Sequence, residues 1–435
     1  MAGQQGEVTA ATTLVYSKAA LSASLLERFA NARSRRSLSP FARGLTSFVY
    51  RITDEASGDD DETVYCLKRV VEEDEMAPHS VQREILCYQT IDEEQRRRNC
   101  SVQIASLLAA FRDESDPFSV EIDLIMPFYP CTLEEIMDEP LLQLHSSDEN
   151  DIRTTQPRPS LSIAQQVQAT SLDSFITSTT RDLFSALSFL HSCQIAHRDI
   201  KPSNILVDPK TLSIVLIDFG TCHLPSYIPG DDRIGGMTSE VGTGAYRAPE
   251  CLFSPLNGYS PEKVDIWQAG VTLIQFFLPL RKVEVTKVKS RIASELEDER
   301  QEWEKALWAD DGGVSWSQLD TTKYTDTSQI EDEKESSASG WKRNTLFEAS
   351  RGDLGLANSI FELRGLPSST FEWPEAEHFQ PSLQRMPFAR RPPAPGGLRQ
   401  RLSSSSLSNI IDILDQCIQL SPSKRMSADD IIKQL

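Results

Sequence analysis

His197-Arg198-Asp199-Ile200-Lys201-Pro202-Ser203-Asn204, and after it Asp218-Phe219-Gly220, form the stretch on which the reading of this chain turns. Two carboxylates, an amide and an amine fall within one short span, behind a run from Phe175 to Cys193 whose apolar residues recur at helical spacing. Carboxylate and amide oxygens are hard ligands of the kind magnesium takes, and the lysine among them supplies a cation. Either triplet alone could stand on an unrelated turn. Both, in this order and behind an apolar helix, argue against chance.

The composition narrows the class. A chain of 435 residues suits a two-lobed domain carrying extra segments better than one small core. Hydrophobic content of 39% against 25% charged residues reads as globular. No apolar run approaches the roughly 18 residues of a membrane helix, so no membrane partner is expected. The formal charge of -20 argues against a nucleic-acid binder that works by neutralising phosphates. Eight cysteines without C-x-x-C or Cys/His pairing suggest free thiols in a reducing compartment. Met1 to Ala20 lack a secretory pattern, which leaves nucleus or cytoplasm as the expectation.

The two opening segments resemble the catalytic loop and metal-binding turn of eukaryotic protein kinases. The resemblance implies an α+β, bilobal protein kinase fold, ATP and Mg2+ as cofactors, and a Ser or Thr hydroxyl of a protein as acceptor. It makes Asp199 the acceptor of the hydroxyl proton and Lys201 a cation on the transferred phosphate, with Asn204 and Asp218 as magnesium ligands. In Tyr65-Cys66-Leu67-Lys68-Arg69-Val70, Lys68 stands where the family places its phosphate-binding lysine, and Glu84 in Gln82-Arg83-Glu84-Ile85-Leu86 is its expected helical partner. Aligning Phe48-Val49-Tyr50 with the end of the family's glycine-rich loop puts Ala42, Gly44 and Ser47 at the glycine positions. Only Gly44 survives, and taken alone this stretch reads as a plain hairpin. Val49 falls on the valine of that pattern. At the hinge, Pro127 and Tyr129 would offer backbone contacts to ATP, Pro127 through its carbonyl alone, while Met126 would narrow the pocket behind the adenine.

Downstream, Val241 to Glu250 resembles the end of the activation segment, with Arg425 as candidate partner of Glu250 and Asp265 as an anchor of the catalytic loop. Thr238 takes the place of a regulatory threonine, and Arg198 could receive a phosphate there. The other reading of Thr238 is an ordinary loop hydroxyl.

Several segments are similar to the cyclin-dependent kinase branch: Tyr246-Arg247-Ala248-Pro249-Glu250, and Gly352 to Phe361 with Gly365-Leu366-Pro367. Pro78-His79-Ser80-Val81-Gln82-Arg83-Glu84 occupies the cyclin-contacting helix position, but Gln82 replaces an apolar contact, which argues against a cyclin requirement. The mixture looks most like fungal kinases that activate cyclin-dependent kinases. That implies a monomer whose protein substrate is a cyclin-dependent kinase. The alternatives are a cyclin-requiring cyclin-dependent kinase and a weak kinase serving as an interaction scaffold.

The expected layout is a flexible tail over 1–39, an N-lobe over 40–129 and a C-lobe over 130–281 with a polar loop inserted at 139–172. An acidic, partly disordered insertion follows at 282–340, and 341–435 completes the C-lobe. The pattern predicts strands at Thr46–Ile52, Thr63–Val71 and Val120–Met126. It predicts helices at His79–Ile91, Leu133–Met137, Phe175–Cys193, Lys282–Trp308 and Leu407–Cys417.

Overall fold

The computed structural model describes residues 12–19, 21–33, 38–44, 47–54, 63–116, 119–142, 158–227, 237–285, 338–386, 388–402 and 406–435. The N-terminal part is a six-stranded antiparallel sheet in the order β1-β5-β6-β4-β3-β2. Its strands are β1 (Thr12–Ser17), β2 (Ser39–Arg43), β3 (Ser47–Asp54), β4 (Thr63–Val71), β5 (Ala109–Asp116) and β6 (Ser119–Pro127). Two-residue alternation along β4 sends Leu67 to a small core with Ile52, Phe111 and Ile125, while Cys66 and Val70 join the main core on the other side. Helix α2 (Val81–Arg98) covers that second side; Ser80 caps it, its hydroxyl accepting from the Arg83 N–H.

The first difference from expectation lies ahead of the sheet. Residues 12–19 and 21–33 are not a tail: β1 pairs antiparallel with β5, and helix α1 (Ala23–Ala32) lays Phe29 into the small core. The Ala- and Ser-rich composition hides a short amphipathic run, Leu25-Leu26-Glu27-Arg28-Phe29, whose apolar side has the outer face of the sheet to cover. Residues 1–11 and 34–37 of the expected tail lie outside the described residues.

The C-terminal part is mostly helical: α3 (Leu133–Met137), α4 (Pro159–Thr170), α5 (Leu172–Ser192), the small hairpin β7 (Ile205–Val207) and β8 (Ile214–Leu216), and α6 (Pro261–Ile274). This is the expected α+β arrangement, a sheet with one main helix followed by a helical half. The expected loop at 139–172 is corrected over its second half. Pro159 starts α4, which buries Ile163, Ala164 and Val167, and buried Glu139 ties its start through Arg158 (2.7 Å) and Ser160 (2.7 Å). Residues 143–157 lie outside the described residues.

The chain is completed by α7 (Gly352–Arg364), α8 (Gly397–Arg401), α9 (Ser408–Cys417) and α10 (Ala428–Ile432). Residues Leu280–Arg343 form a separate compact unit. In it β9 (Leu280–Val285) pairs with β10 (Ala338–Arg343), so Lys282 begins no helix. Alternating Val283 and Val285 favour the strand. The rest of the acidic insertion, 286–337, lies outside the described residues. Among the described residues no helix is long and apolar enough to cross a membrane, and all eight cysteines are free.

Candidate active site

Helix α5 delivers the chain to a loop whose backbone is under strain. Arg198 has φ 67° and Asp218 φ 69°, left-handed values that a residue with a side chain adopts at a cost of roughly 1–3 kcal/mol. Helix α6 holds the first of them in place. The buried Asp265 carboxylate accepts from the N–H of His197 (2.8 Å) and of Arg198 (2.7 Å), and one turn on Gln268 accepts from Ile200 N–H (2.9 Å) and donates to the Arg198 carbonyl (2.8 Å). Asp265 has the anchoring role expected of it. Gln268 was missed, although a glutamine three residues after an anchoring aspartate, amid Ile266, Trp267 and Ala269, was the available signal.

So held, the loop presents Asp199 with three partners. Its Oδ2 accepts from Lys201 Nζ (2.7 Å) and Asn204 Nδ2 (3.1 Å), and its Oδ1 from the Thr243 hydroxyl (2.7 Å). Lys201 also reaches Thr243 (2.8 Å). Because the Asn204 Nδ2 is spent on Asp199, its Oδ1 is the atom that remains to ligate a cation. Thr243 is the second residue that sequence reasoning missed in this role, having stood there only as part of the Val241 to Glu250 segment.

The second cluster forms across the sheet and α2. Lys68 Nζ lies 2.8 and 3.0 Å from the two Glu84 oxygens and 2.9 Å from Asp218 Oδ1. Burial alone would lower the Lys68 pKa, but the Asp218 and Glu84 carboxylates outweigh it and hold the amine firmly charged. Burial likewise works to raise Asp218, and the Lys68 charge overrides it, keeping that carboxyl well below its ordinary range. Glu84 is pushed up by burial against the pull of Lys68. The Phe219 ring packs on His197 (4.8 Å) and edge-to-face on Tyr88 of α2 (5.1 Å), which couples the Asp218–Gly220 turn to the helix that carries Glu84.

The nucleotide residues are placed less directly. Val49 is in register with Lys68, and Met126, nearly buried, with Cys66. Gly44 accompanies them on the hairpin, its N–H donating to the Ser47 carbonyl at 2.8 Å. Residues 45–46 lie outside the described residues. Pro127 ends β6 and Tyr129 follows it. An edge-to-face contact of Phe41 with Phe128 (5.0 Å), unforeseen from sequence, ties β2 to this hinge.

Thr238 and Arg198 are bridged by a third residue. The Tyr259 hydroxyl donates to the Thr238 carbonyl (2.7 Å) and accepts from Arg198 (3.3 Å), while the buried Arg198 guanidinium also donates to Thr221 O (2.8 Å). Glu250 and Arg425 make the expected buried pair, bidentate at 2.6 and 2.7 Å.

A family model described as the protein kinase domain matches residues 43–435. The chain belongs to the protein kinase domain family. Over 96 residues it is 38% identical to protein kinase gsk31 of Schizosaccharomyces pombe, which is 22% of this chain and 23% of that protein. It is likewise 38% identical over 96 residues to glycogen synthase kinase 1 of Pyricularia oryzae, 22% of each chain. The match thus spans under a quarter of the length of these curated relatives. Neither carries the name of a cyclin-dependent kinase or of an enzyme that activates one.

The residues present fit a magnesium nucleotide. The donor set is the hard oxygens of Asn204 and an Asp218 carboxyl kept ionised, with a charged amine beside them, the complement that a divalent cation and polyphosphate require.

Proposed function

We propose that this chain is an ATP-dependent protein serine/threonine kinase. The observation that carries the reading is the pair of clusters, Lys68–Glu84–Asp218 and Asp199–Lys201–Asn204–Thr243, assembled in one folded unit. When bound, magnesium supplies charge neutralisation on the phosphate oxygens, and Asn204 and Asp218 would hold it. Lys68 anchors the phosphates and is itself aimed by Glu84. Asp199 takes the proton of the incoming hydroxyl, and Lys201 balances charge on the group being transferred. Thr243, bonded to both Asp199 and Lys201, sets the carboxylate's rotation.

The finer reading is a single-chain enzyme that phosphorylates the activation-loop threonine of a cyclin-dependent kinase. Its support is the state of α2: Glu84 is already paired, and Gln82, at the position where a cyclin would pack, donates to Glu72 of the same chain (3.2 Å). A glycogen-synthase-kinase-like substrate set is the second reading, favoured by the 38% identity over 96 residues. Phosphorylation of Thr238, whose backbone carbonyl is tied through Tyr259 to Arg198, is proposed as the regulatory step.

Incubating the purified chain with Mg-ATP and, separately, a cyclin-dependent kinase and glycogen synthase, then mapping the phosphosites, tests these readings. Transfer to an activation-loop threonine without added cyclin supports the first. Transfer to glycogen synthase alone replaces it with the second, and transfer to no hydroxyl removes the kinase assignment.

A further inference from the structure

We infer that residues 12–18 form an internal clamp on α2, with Tyr16 and Lys18 acting as positioning residues that keep Glu84 engaged with Lys68. This inference rests on the kinase reading of the same site.

Helix α2 is secured at its front end within the site itself: Arg83 donates to the Gly220 carbonyl (3.2 Å), and Glu75 accepts from the Val81 N–H (2.6 Å). Its rear half needs a separate hold, because a helix moves as a rod and a tilt at one end displaces the other. Asp92 lies two turns beyond Glu84, about 12 Å along the axis. It is buried, and it faces the N-terminal strand. Lys18 Nζ stands 3.4 Å from Asp92 Oδ1, and the Tyr16 hydroxyl donates to Oδ2 (3.4 Å). Arg96, one turn on in α2 itself, also contacts Asp92 (3.2 Å) but cannot fix the helix to anything else.

Strand β1 is in turn fixed to the sheet. It pairs with β5 along its length, Lys18 N–H donates to the Leu108 carbonyl (2.8 Å), and Lys18 Nζ donates to Ser106 (2.9 Å). Behind it α1 is locked by Phe29 and by Arg33, whose Nε donates to buried Asp123 on β6 at 2.6 Å. The segment thus joins the rear of α2 to the same sheet that carries Lys68, so both partners of the Lys68–Glu84 pair are referred to one frame. A partner subunit that positions this helix would be doing work this chain does for itself.

Three variants of the full chain test the clamp: Tyr16→Phe with Lys18→Ala, Asp92→Ala, and the exchange Lys18→Asp with Asp92→Lys. Each is read by kcat and KM for a peptide substrate, by amide hydrogen exchange across Val81–Arg98, and by thermal melting. The clamp predicts that the first two lower kcat about tenfold and speed exchange in α2 while the sheet strands keep their protection. The exchanged pair recovers most of both losses. Unchanged kcat and α2 exchange in the first two variants would overturn the clamp, as would losses that spread evenly over the sheet and are not recovered by the exchanged pair. If the unsubstituted chain transfers no phosphate, the kinase reading fails, and hydrogen exchange in α2 still decides the clamp.

Discussion

The carboxylate of Asp199 meets three donors from its own chain, so its orientation is preset. Asp199→Asn keeps the shape and removes the base; kcat should fall by about 10²–10⁴ while magnesium nucleotide still raises the melting temperature. At the start of α2, Glu75 presents a different residue-scale effect. Burial lifts its pKa from 4.5 to about 7, against the Val81 N–H that favours the charged form. A carboxyl with a raised folded pKa contributes stability below pH 4.5 that is lost as pH climbs through 7. Glu75→Gln should therefore match the parent at acid pH and exceed it above pH 7. For a half-exposed side chain the gain is discounted to about 1 kcal/mol, measurable by urea unfolding at both pH values. Which side chains meet was legible wherever side-chain type and local spacing carry it, as with Asp199 and Asn204, and with Lys68, Glu84 and Asp218. Thr243 and Gln268 were not, because each acts on a residue tens of positions away; the spacing of Gln268 after Asp265 marked it as a buried polar residue without naming its partner.

Among the elements, α6 decides how the catalytic loop is held. It stands Asp265 under the backbone amides of His197 and the strained Arg198, so Asp265→Asn removes the charge that made those bonds strong. The expected outcome is a drop in kcat exceeding tenfold with KM for ATP changed far less, checked by steady-state kinetics. Nearby, Glu250 and Arg425 are fully enclosed, with Arg425 also 5.0 Å above the Trp267 ring. Glu250→Ala would leave a buried guanidinium without its counter-ion and should cost about 3–5 kcal/mol in a denaturant titration. Elements with a clean period were readable: Thr63–Val71 has the bounds the alternation predicts, and Leu133–Met137 likewise. Helices α1 and α4 were not, since few of their residues are large and apolar and most of the rest are Ala, Ser, Gln, Thr or Asn, a composition shared with loops.

At the scale of the whole molecule, the two-part architecture followed from the order of motifs along the chain, but the N-terminal segment did not. Its value as structure depends on the outer sheet face formed by Leu67, Phe111 and Ile125, residues that come later in the chain and become a surface only once folded. The central claim is that the two clusters act as one phosphoryl-transfer site. It is tested most directly by mixing the purified chain with magnesium and γ-labelled ATP, with Asp199→Asn in parallel, and recovering label from protein serine and threonine. The account predicts label transferred by the parent chain and at most a hundredth as much by a variant that still binds the nucleotide. Equal labelling by both proteins, or none by the parent, would contradict it.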